Sequence, residues 1–254
     1  MKTISVLALT AMVMIPSAIT AQNSVEASVS ADIVSHYVWR GQDRGGVSIQ
    51  PEARVAWKGL SLTLEGSAGF DSDDDKELDL TLGYELKGFN IGVTDYWQTG
   101  IDAANRYFYY DKKQSAHQFE GNLGYTCKYF SLQGYCIFYG NDFKADGKQA
   151  YSTYAELTVP FRLAGLDWQL RAGMTPFESS SSVTYKSSSS IFDTELKPVK
   201  EYYYAEGVAC TDASIRATKD LSWGKLKLPV FAELSTNPYL QTAHMIFGIS
   251  IIPF

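Results

Sequence analysis

Apolar and polar residues alternate along most of the chain beyond its N-terminal segment. Successive side chains of a β-strand point to opposite faces, so a period of two predicts strands with one apolar and one polar face. In the clearest segment every second residue is apolar or small: Leu60, Leu62, Leu64, Gly66, Ala68 and Phe70. The residues between them are polar or small: Ser61, Thr63, Glu65, Ser67 and Gly69. This pattern predicts an all-β protein.

Twelve segments of this kind follow one another, each with boundaries defined to within a few residues. They begin near Ser24, Val47, Leu60, Glu77, Phe89, Ala116, Phe130, Gln149, Asp167, Val208, Lys225 and Ala243. Every second connection between them is short: 58–59, 87–88, 128–129, 163–166 and 221–224. The remaining connections are longer: 41–46, 71–76, 98–115, 140–148, 176–204 and 236–242.

Alternating short and long connections are typical of an outer-membrane β-barrel, which has tight periplasmic turns and long extracellular loops. The segment from Leu60 to Phe70 extends about 33 Å at about 3.3 Å per residue. Tilted as in such barrels, it rises about 25 Å, the height of their apolar band. We therefore predict a single antiparallel transmembrane barrel of about twelve strands. The alternative is a soluble β-sandwich or a lipocalin-like barrel, although these need no rule for loop length.

The two ends of the chain carry export features. Lys2, an apolar run over 4–15 and the small residues Ala18 and Ala21 predict a signal peptide over 1–21, with the barrel over 22–254. A membrane-anchor helix is the alternative, but the apolar run is short for a span. The last strand alternates up to Phe254 and resembles the signal through which the outer-membrane insertion machinery recognises its clients. Its other face, with Met245 and Phe247, is also apolar and is assigned to the interior.

The charge of the chain limits the classes of molecule that it is expected to bind. The chain carries a net charge of −6, so it lacks the basic footprint of a nucleic-acid-binding protein. We expect outer-membrane lipid and small hydrophilic solutes as partners, and no nucleic acid.

Charged residues fall on the polar faces, which would line the lumen. The predicted pore-lining residues are Asp32, Arg40, Glu52, Arg54, Glu65, Asp79, Glu85, Glu120, Glu156, Arg171, Arg216 and Glu233. Acids exceed bases in this set, which favours a porin-like channel with weak cation preference or no selectivity. A barrel of this size can also be filled by side chains. A structural or surface-interaction barrel with a plugged lumen therefore stays open as the alternative.

The sequence offers little sign of catalysis or of a cofactor. His36, His117 and His244 lie far apart on separate segments, so no metal site and no cofactor is predicted. An outer-membrane phospholipase is the enzymatic alternative, but no serine stands out as its nucleophile. The acidic run 73–75 fits either a calcium site or a solvated loop. The serine runs 179–182 and 187–190 are interpreted as mobile low-complexity loop.

One stretch resembles a known family. The residues 35–41, Ser-His-Tyr-Val-Trp-Arg-Gly, together with Gln42 and the later 51–53, Pro-Glu-Ala, resemble the opening of the TorF-like family of porins. The chain departs from the family pattern at His36, which replaces an acidic residue, and at Glu52, which separates Pro51 from Ala53. The ending 248–254 is similar as well. The resemblance implies an outer-membrane barrel and an expected pore, without a known substrate.

Within this motif the alternation places Tyr37 and Trp39 on the outward face and Arg40 inward, at the mouth. Arg40 would then contact either a solute or a nearby lumen carboxylate as a structural pair.

Overall fold

In a computed structural model of the chain, the residues described are 24–71, 74, 76–99, 106–187, 196–224 and 226–252. The predicted signal peptide and Phe254 lie outside these ranges.

Eighteen strands form within the described residues. In chain order they are β1 (Glu26–Val34), β2 (Tyr37–Trp39), β3 (Gln42–Gly45), β4 (Ser48–Trp57), β5 (Leu60–Gly69), β6 (Lys76–Leu86), β7 (Phe89–Thr99), β8 (His117–Thr126), β9 (Ser131–Gly140), β10 (Thr153–Leu163), β11 (Leu166–Thr175), β12 (Ser181–Ser187), β13 (Leu196–Tyr202), β14 (Ala209–Lys219), β15 (Ser222–Trp223), β16 (Leu226–Lys227), β17 (Val230–Asn237) and β18 (Thr242–Ile251).

Twelve of these strands form one closed barrel in the order β1, β18, β17, β14, β11, β10, β9, β8, β7, β6, β5, β4. Each barrel strand pairs antiparallel with its neighbours in the chain, and the first strand, β1, also pairs with the last, β18. The predicted all-β fold and the twelve-stranded antiparallel barrel are confirmed. The strand β10 begins four residues later than predicted, at Thr153, and β17 begins five residues later, at Val230.

The connections at one end of the barrel are tight. Lys58 and Gly59 both adopt positive φ, as do Lys87 and Gly88, and Ala164 and Gly165. Positive φ at both central residues matches type I′ turns, whose twist suits the strands they join. We call this the turn end and the opposite end the loop end. The small hairpin β15–β16 lies at the turn end, where Lys227 bridges to Ile252. The hairpins β2–β3 and β12–β13 belong to the loop end.

The distribution of side chains is the reverse of that in a soluble protein. Large apolar residues are exposed around the outside of the barrel, for example Leu62, Leu82, Ile91 and Leu123, each at least half exposed. The buried residues are mostly polar or charged, because they face the lumen. An apolar belt of this extent on a folded chain marks a surface that contacts something other than water. Among the described residues, no helix is long and apolar enough to cross a membrane.

The last strand, β18, is turned over relative to the prediction. Met245 and Phe247 are exposed on the outside, whereas Ile246, Ser250 and Ile252 are buried inside. Ile246 packs with Val34, Val38 and Phe231 in an apolar cluster within the lumen. Because both faces of this strand are apolar, its own sequence could not determine which face would be buried.

Candidate functional site

The lumen contains a cavity of about 260 Å³ that is lined by residues of β1, β2 and β4–β11. Nine of the twelve charged residues predicted to line a pore border it: Asp32, Arg40, Glu52, Arg54, Glu65, Asp79, Glu85, Glu156 and Arg171. The other three, Glu120, Arg216 and Glu233, are buried in ion pairs beside the cavity. The cavity is therefore polar and strongly charged.

The short hairpin β2–β3 folds into the mouth of the barrel at the loop end. Its two-residue turn is Arg40 and Gly41, both with positive φ. The Arg40 guanidinium donates to both carboxylate oxygens of Glu120 on β8, at 2.7 Å each, and to the Tyr204 hydroxyl at 2.6 Å. It also lies over the rings of Tyr135 and Tyr154, at 4.1 and 4.8 Å from their centroids. A bidentate pair held between aromatic rings fixes the position of the hairpin tip.

The hairpin tip also contacts the barrel wall beyond Arg40. Asn237 on β17 donates to the Gly41 carbonyl at 3.2 Å. A Cβ atom on Gly41 would lie 1.9 Å from the Thr211 carbonyl oxygen of β14, so only glycine fits there. Nearer the base, the Tyr37 hydroxyl donates to Glu77 on β6. The hairpin thus spans the mouth from β6 and β8 to β14 and β17.

This arrangement corrects the prediction for Tyr37 and Trp39. Tyr37 is buried inside the barrel, and Trp39 packs against Tyr203 and Tyr204 within the mouth. The chain leaves the sheet after Ser35, so these side chains no longer follow the inward and outward faces of a wall strand. Arg40 does point inward, and its contact is the structural pair with a lumen carboxylate that the sequence left open.

A second ion-pair network joins β11, β14 and β17 inside the lumen. Arg171 on β11 donates to Asp212 on β14 at 2.7 Å and to Glu233 on β17 at 2.8 Å. Arg216 donates to the same Glu233 at 2.6 Å and covers the Phe231 ring at 4.0 Å. These two arginines are matched by carboxylates, so their positive charge contributes little to the field in the cavity.

The cavity wall on β4, β5 and β6 carries carboxylates side by side. Glu52 lies directly opposite Glu65, and Glu65 lies directly opposite Asp79, in neighbouring strands. Like charges at directly paired positions destabilise a sheet. Glu52, Asp79 and the nearby Asp32 each have a buried carboxylate oxygen without a hydrogen-bond partner among the described residues. We call Glu52, Glu65 and Asp79 the carboxylate row.

The described parts of the long connection between β11 and β14 pack at the mouth around Ser179 and Tyr204. The Ser179 hydroxyl is buried and accepts hydrogen bonds from the backbone of Tyr204 and Ala205. Burial raises the pKa of Tyr204 well above its ordinary value, so its hydroxyl stays neutral beside Arg40. On the outer side Glu178 accepts from Lys200 at 2.8 Å and Lys144 at 2.9 Å. These hydrogen bonds hold the pKa of Glu178 below its usual range.

The prediction of a mobile loop over the serine run 179–182 is wrong. Ser179 is held by hydrogen bonds, and Ser181 begins β12. Of the second run, only Ser187 lies within the described residues, as the last residue of β12. Most of the acidic run 73–75 also lies outside them. Asp74 accepts hydrogen bonds from the backbone of Gly46 and Asp71.

The prediction that all three histidines lie far apart is wrong for two of them. His36 and His244 stack with ring centroids 4.9 Å apart, and Asp43 lies beside them. His117 is fully buried near the loop end. Its Nδ1 lies 2.7 Å from Asp95, and its Nε2 lies 2.5 Å from the Tyr107 carbonyl. Because both nitrogens are engaged, this ring is not free to activate a serine.

Several residues of the site were not predicted from the sequence. Glu77 lies on the same face of β6 as Asp79, so the alternation could have identified it. Asp212 lies on the same face of β14 as Arg216, so the alternation could have identified it as well. Tyr204 lies in a long connection where no periodicity applies.

Comparison with known proteins gives only distant likenesses. No protein-family model matches the chain, and no curated protein matches it. An outer membrane channel from Pseudomonas putida F1 is similar with a TM-score of 0.42 and 15% identity, covering 93% of this chain and 98% of that one. A structure from a study of the in-meso crystallization of membrane proteins is similar with a TM-score of 0.40 and 9% identity, covering 89% and 83% of the two chains.

Proposed function

We propose that this protein is an outer-membrane channel for small hydrophilic solutes, whose mouth is closed by the β2–β3 hairpin and which prefers cations when the hairpin moves. The observation that carries the proposal is the closed barrel with apolar side chains outside and charged side chains inside. Closure leaves no unpaired sheet edge, as lipid requires. A charged interior is costly when dry, which favours water in the lumen. The resemblance of residues 35–41 to TorF-like porins points the same way.

The loop end would then face the exterior and the turn end the periplasm, in keeping with loop lengths in such barrels. The aromatic residues support two interfaces. Trp57 and Phe89 are exposed at the turn end, and Phe70 and Phe138 at the loop end. Aromatic side chains favour the level of the lipid headgroups.

Cation preference follows from which charges are paired. Arg40, Arg171 and Arg216 all bind carboxylates, whereas the carboxylate row has no basic side chain within ion-pair distance among the described residues. Arg54 also borders the cavity and offsets part of the row. The net field in the cavity is therefore negative, and such a field concentrates cations.

A second candidate is a structural barrel with a permanently plugged lumen. The observation that favours it is the number of contacts holding the hairpin, since Arg40, Gly41 and Tyr37 all bind the wall. The two candidates differ in whether solute ever passes.

Solute flux into proteoliposomes tests the proposal. Protein refolded without the signal peptide is reconstituted, and uptake of a small cation, a small anion and a neutral sugar is compared. The proposal predicts uptake in the order cation, neutral sugar, anion, and faster uptake when Arg40 and Glu120 are both replaced. No uptake by either protein, with insertion verified, would favour the plugged barrel. Release of fatty acid from the vesicles would instead indicate a phospholipase.

A further inference from the structure

Three side chains from separate segments converge at the base of the hairpin. His36 follows β1, Asp43 belongs to β3, and His244 lies on β18. Their donor atoms lie within 4.8 Å of one another. Ser35 fixes the chain here, because its backbone N–H donates to the Phe247 carbonyl at 2.8 Å and its hydroxyl accepts from Phe247 at 2.9 Å. His36 is thereby held against β18, next to His244.

The polar atoms of this cluster are poorly satisfied by one another. Among the described residues, the Nε2 atoms of His36 and His244 are both enclosed without a hydrogen-bond partner. His36 Nε2 lies 2.9 Å from Asp43 Oδ1, but the two are not aligned for a hydrogen bond. Enclosed nitrogen atoms without partners are unfavourable unless a further ligand satisfies them. Two stacked imidazoles beside one carboxylate provide three donor atoms for a cation.

We propose that His36, Asp43 and His244 bind one divalent transition-metal ion, with Zn²⁺ as the representative case. Imidazole nitrogens suit zinc, copper and nickel, whereas calcium and magnesium prefer all-oxygen sites. Three protein ligands leave a further position for water. Bonds of about 2.0–2.1 Å place tetrahedral ligand atoms about 3.4 Å apart. Donor atoms within 4.8 Å of one another therefore close by at most about 1.4 Å, and the His36 and Asp43 atoms, at 2.9 Å, separate slightly.

The surroundings of the cluster fit this role. The Gly45 backbone N–H donates to Asp43 Oδ1 at 3.1 Å, which orients the carboxylate towards His36 Nε2. A hydrogen bond of this kind to a ligand strengthens a metal site. The side chains of His36 and Asp43 are 31% and 53% exposed, so an ion reaches them from the loop end.

The ion would join two parts of the structure. Asp43 belongs to the hairpin that closes the mouth, whereas His244 belongs to the wall strand β18. Bound metal therefore fastens the hairpin to the barrel. Metal binding itself does not depend on the proposed channel function, whereas the effect of the metal on closure of the mouth rests on that function.

Calorimetric titration with ZnCl₂ tests the site, using full-length protein in detergent without a histidine tag. Cys127, Cys136 and Cys210 are replaced by serine, because free thiols also bind zinc. We expect one Zn²⁺ per chain, and an affinity lower by about 10-fold or more in His36→Ala and in His244→Ala. Asp146→Asn, at an exposed acid outside the cluster, is the control and leaves the affinity unchanged.

Equal binding by the wild type and the His36→Ala/His244→Ala double variant would overturn the proposal. X-ray absorption at the zinc edge on the zinc-loaded protein with its histidines intact covers the case in which the variants do not fold. It should show scattering from two imidazoles, and its absence would also overturn the proposal. Loss of zinc binding with unchanged solute flux would refute the effect on closure and leave the site intact. Absence of flux in every protein would count against the channel, not the metal site.

Discussion

Arg40 and Glu120 lie 80 residues apart in the chain and form a bidentate ion pair at 2.7 Å across the mouth of the barrel. One residue is at the tip of a hairpin and the other is in the wall, so the pair determines where the hairpin sits. Both side chains are buried, and a buried charge that loses its partner is strongly unfavourable.

Replacing Arg40 alone should therefore destabilise the protein. We expect Arg40→Met to cost about 3–5 kcal/mol, because it leaves the Glu120 carboxylate buried and unpaired. Adding Glu120→Leu should recover part of this loss. Urea unfolding in lipid vesicles measures the free energy of unfolding of the single and the double variant. Lys200→Met is the control, since Lys200 pairs with Glu178 at the surface, where water and salt screen the interaction and such pairs contribute little. A loss no larger than that of the control would show that the buried pair does not hold the hairpin.

Gly41 offers a second way to displace the hairpin. Gly41→Ala places a methyl group against the Thr211 carbonyl, so the tip has to withdraw from β14. Gly165→Ala is a matched control, because Gly165 has φ +74 against +75 for Gly41 but has open space around it. Both variants carry the cost of a left-handed alanine, about 1–2 kcal/mol. Only Gly41→Ala should increase solute flux, and an equal increase in both would refute the role of this contact.

The carboxylate row should set the selectivity. Glu65 lies in its middle, opposite both Glu52 and Asp79. Glu65→Gln should shift the reversal potential under a salt gradient toward anions, because it lowers the negative charge beside the path. Glu178→Gln removes an acid from the outer loops and should produce a much smaller shift. Anion preference in the wild type would contradict the charge assignment.

The apolar belt makes a prediction about depth in the bilayer. Leu82 lies towards the middle of β6, and Leu86 lies at the turn end, with exposed fractions of 54% and 55%. In lipid, Leu82→Arg should cost about 2–4 kcal/mol, whereas Leu86→Arg should cost about 0–1 kcal/mol. Unfolding free energies in vesicles of defined thickness test this. Equal costs at the two positions would argue against a membrane-spanning belt.

The local alternation of apolar and polar residues was sufficient to predict the strands of the barrel wall. Alternation along segments such as Leu60–Gly69 determines which side chains face inward, and Lys-Gly pairs with positive φ mark tight turns. The hairpin β2–β3 was misassigned because Tyr37 and Trp39 continue the same alternation after the chain has left the wall. Nothing local distinguishes a wall strand from a strand folded into the lumen, since the difference lies in contacts with Glu77 and Glu120.

The cluster of His36 and His244 could have been found by one further step. Closure of the barrel brings the first and last strands together, and an even number of strands makes them antiparallel. Both histidines therefore lie at the loop end of that seam. Spacing along the chain hides this proximity, because the two residues become neighbours only when the barrel closes. The orientation of β18 depended in the same way on packing against Val34 and Val38 rather than on its own pattern.

Single-channel recording in planar bilayers shows whether the barrel conducts ions and whether the β2–β3 hairpin closes it. The wild type is compared with a variant in which residues 37–45 are replaced by a flexible Gly-Ser linker of equal length. A control variant carries the same replacement within the exposed hairpin β12–β13. We expect small or rare conductance steps for the wild type and the control, and larger, frequent, cation-preferring steps for the variant without the β2–β3 hairpin. The same conductance in all three proteins, or none in any of them after verified insertion, would refute a channel closed by this hairpin.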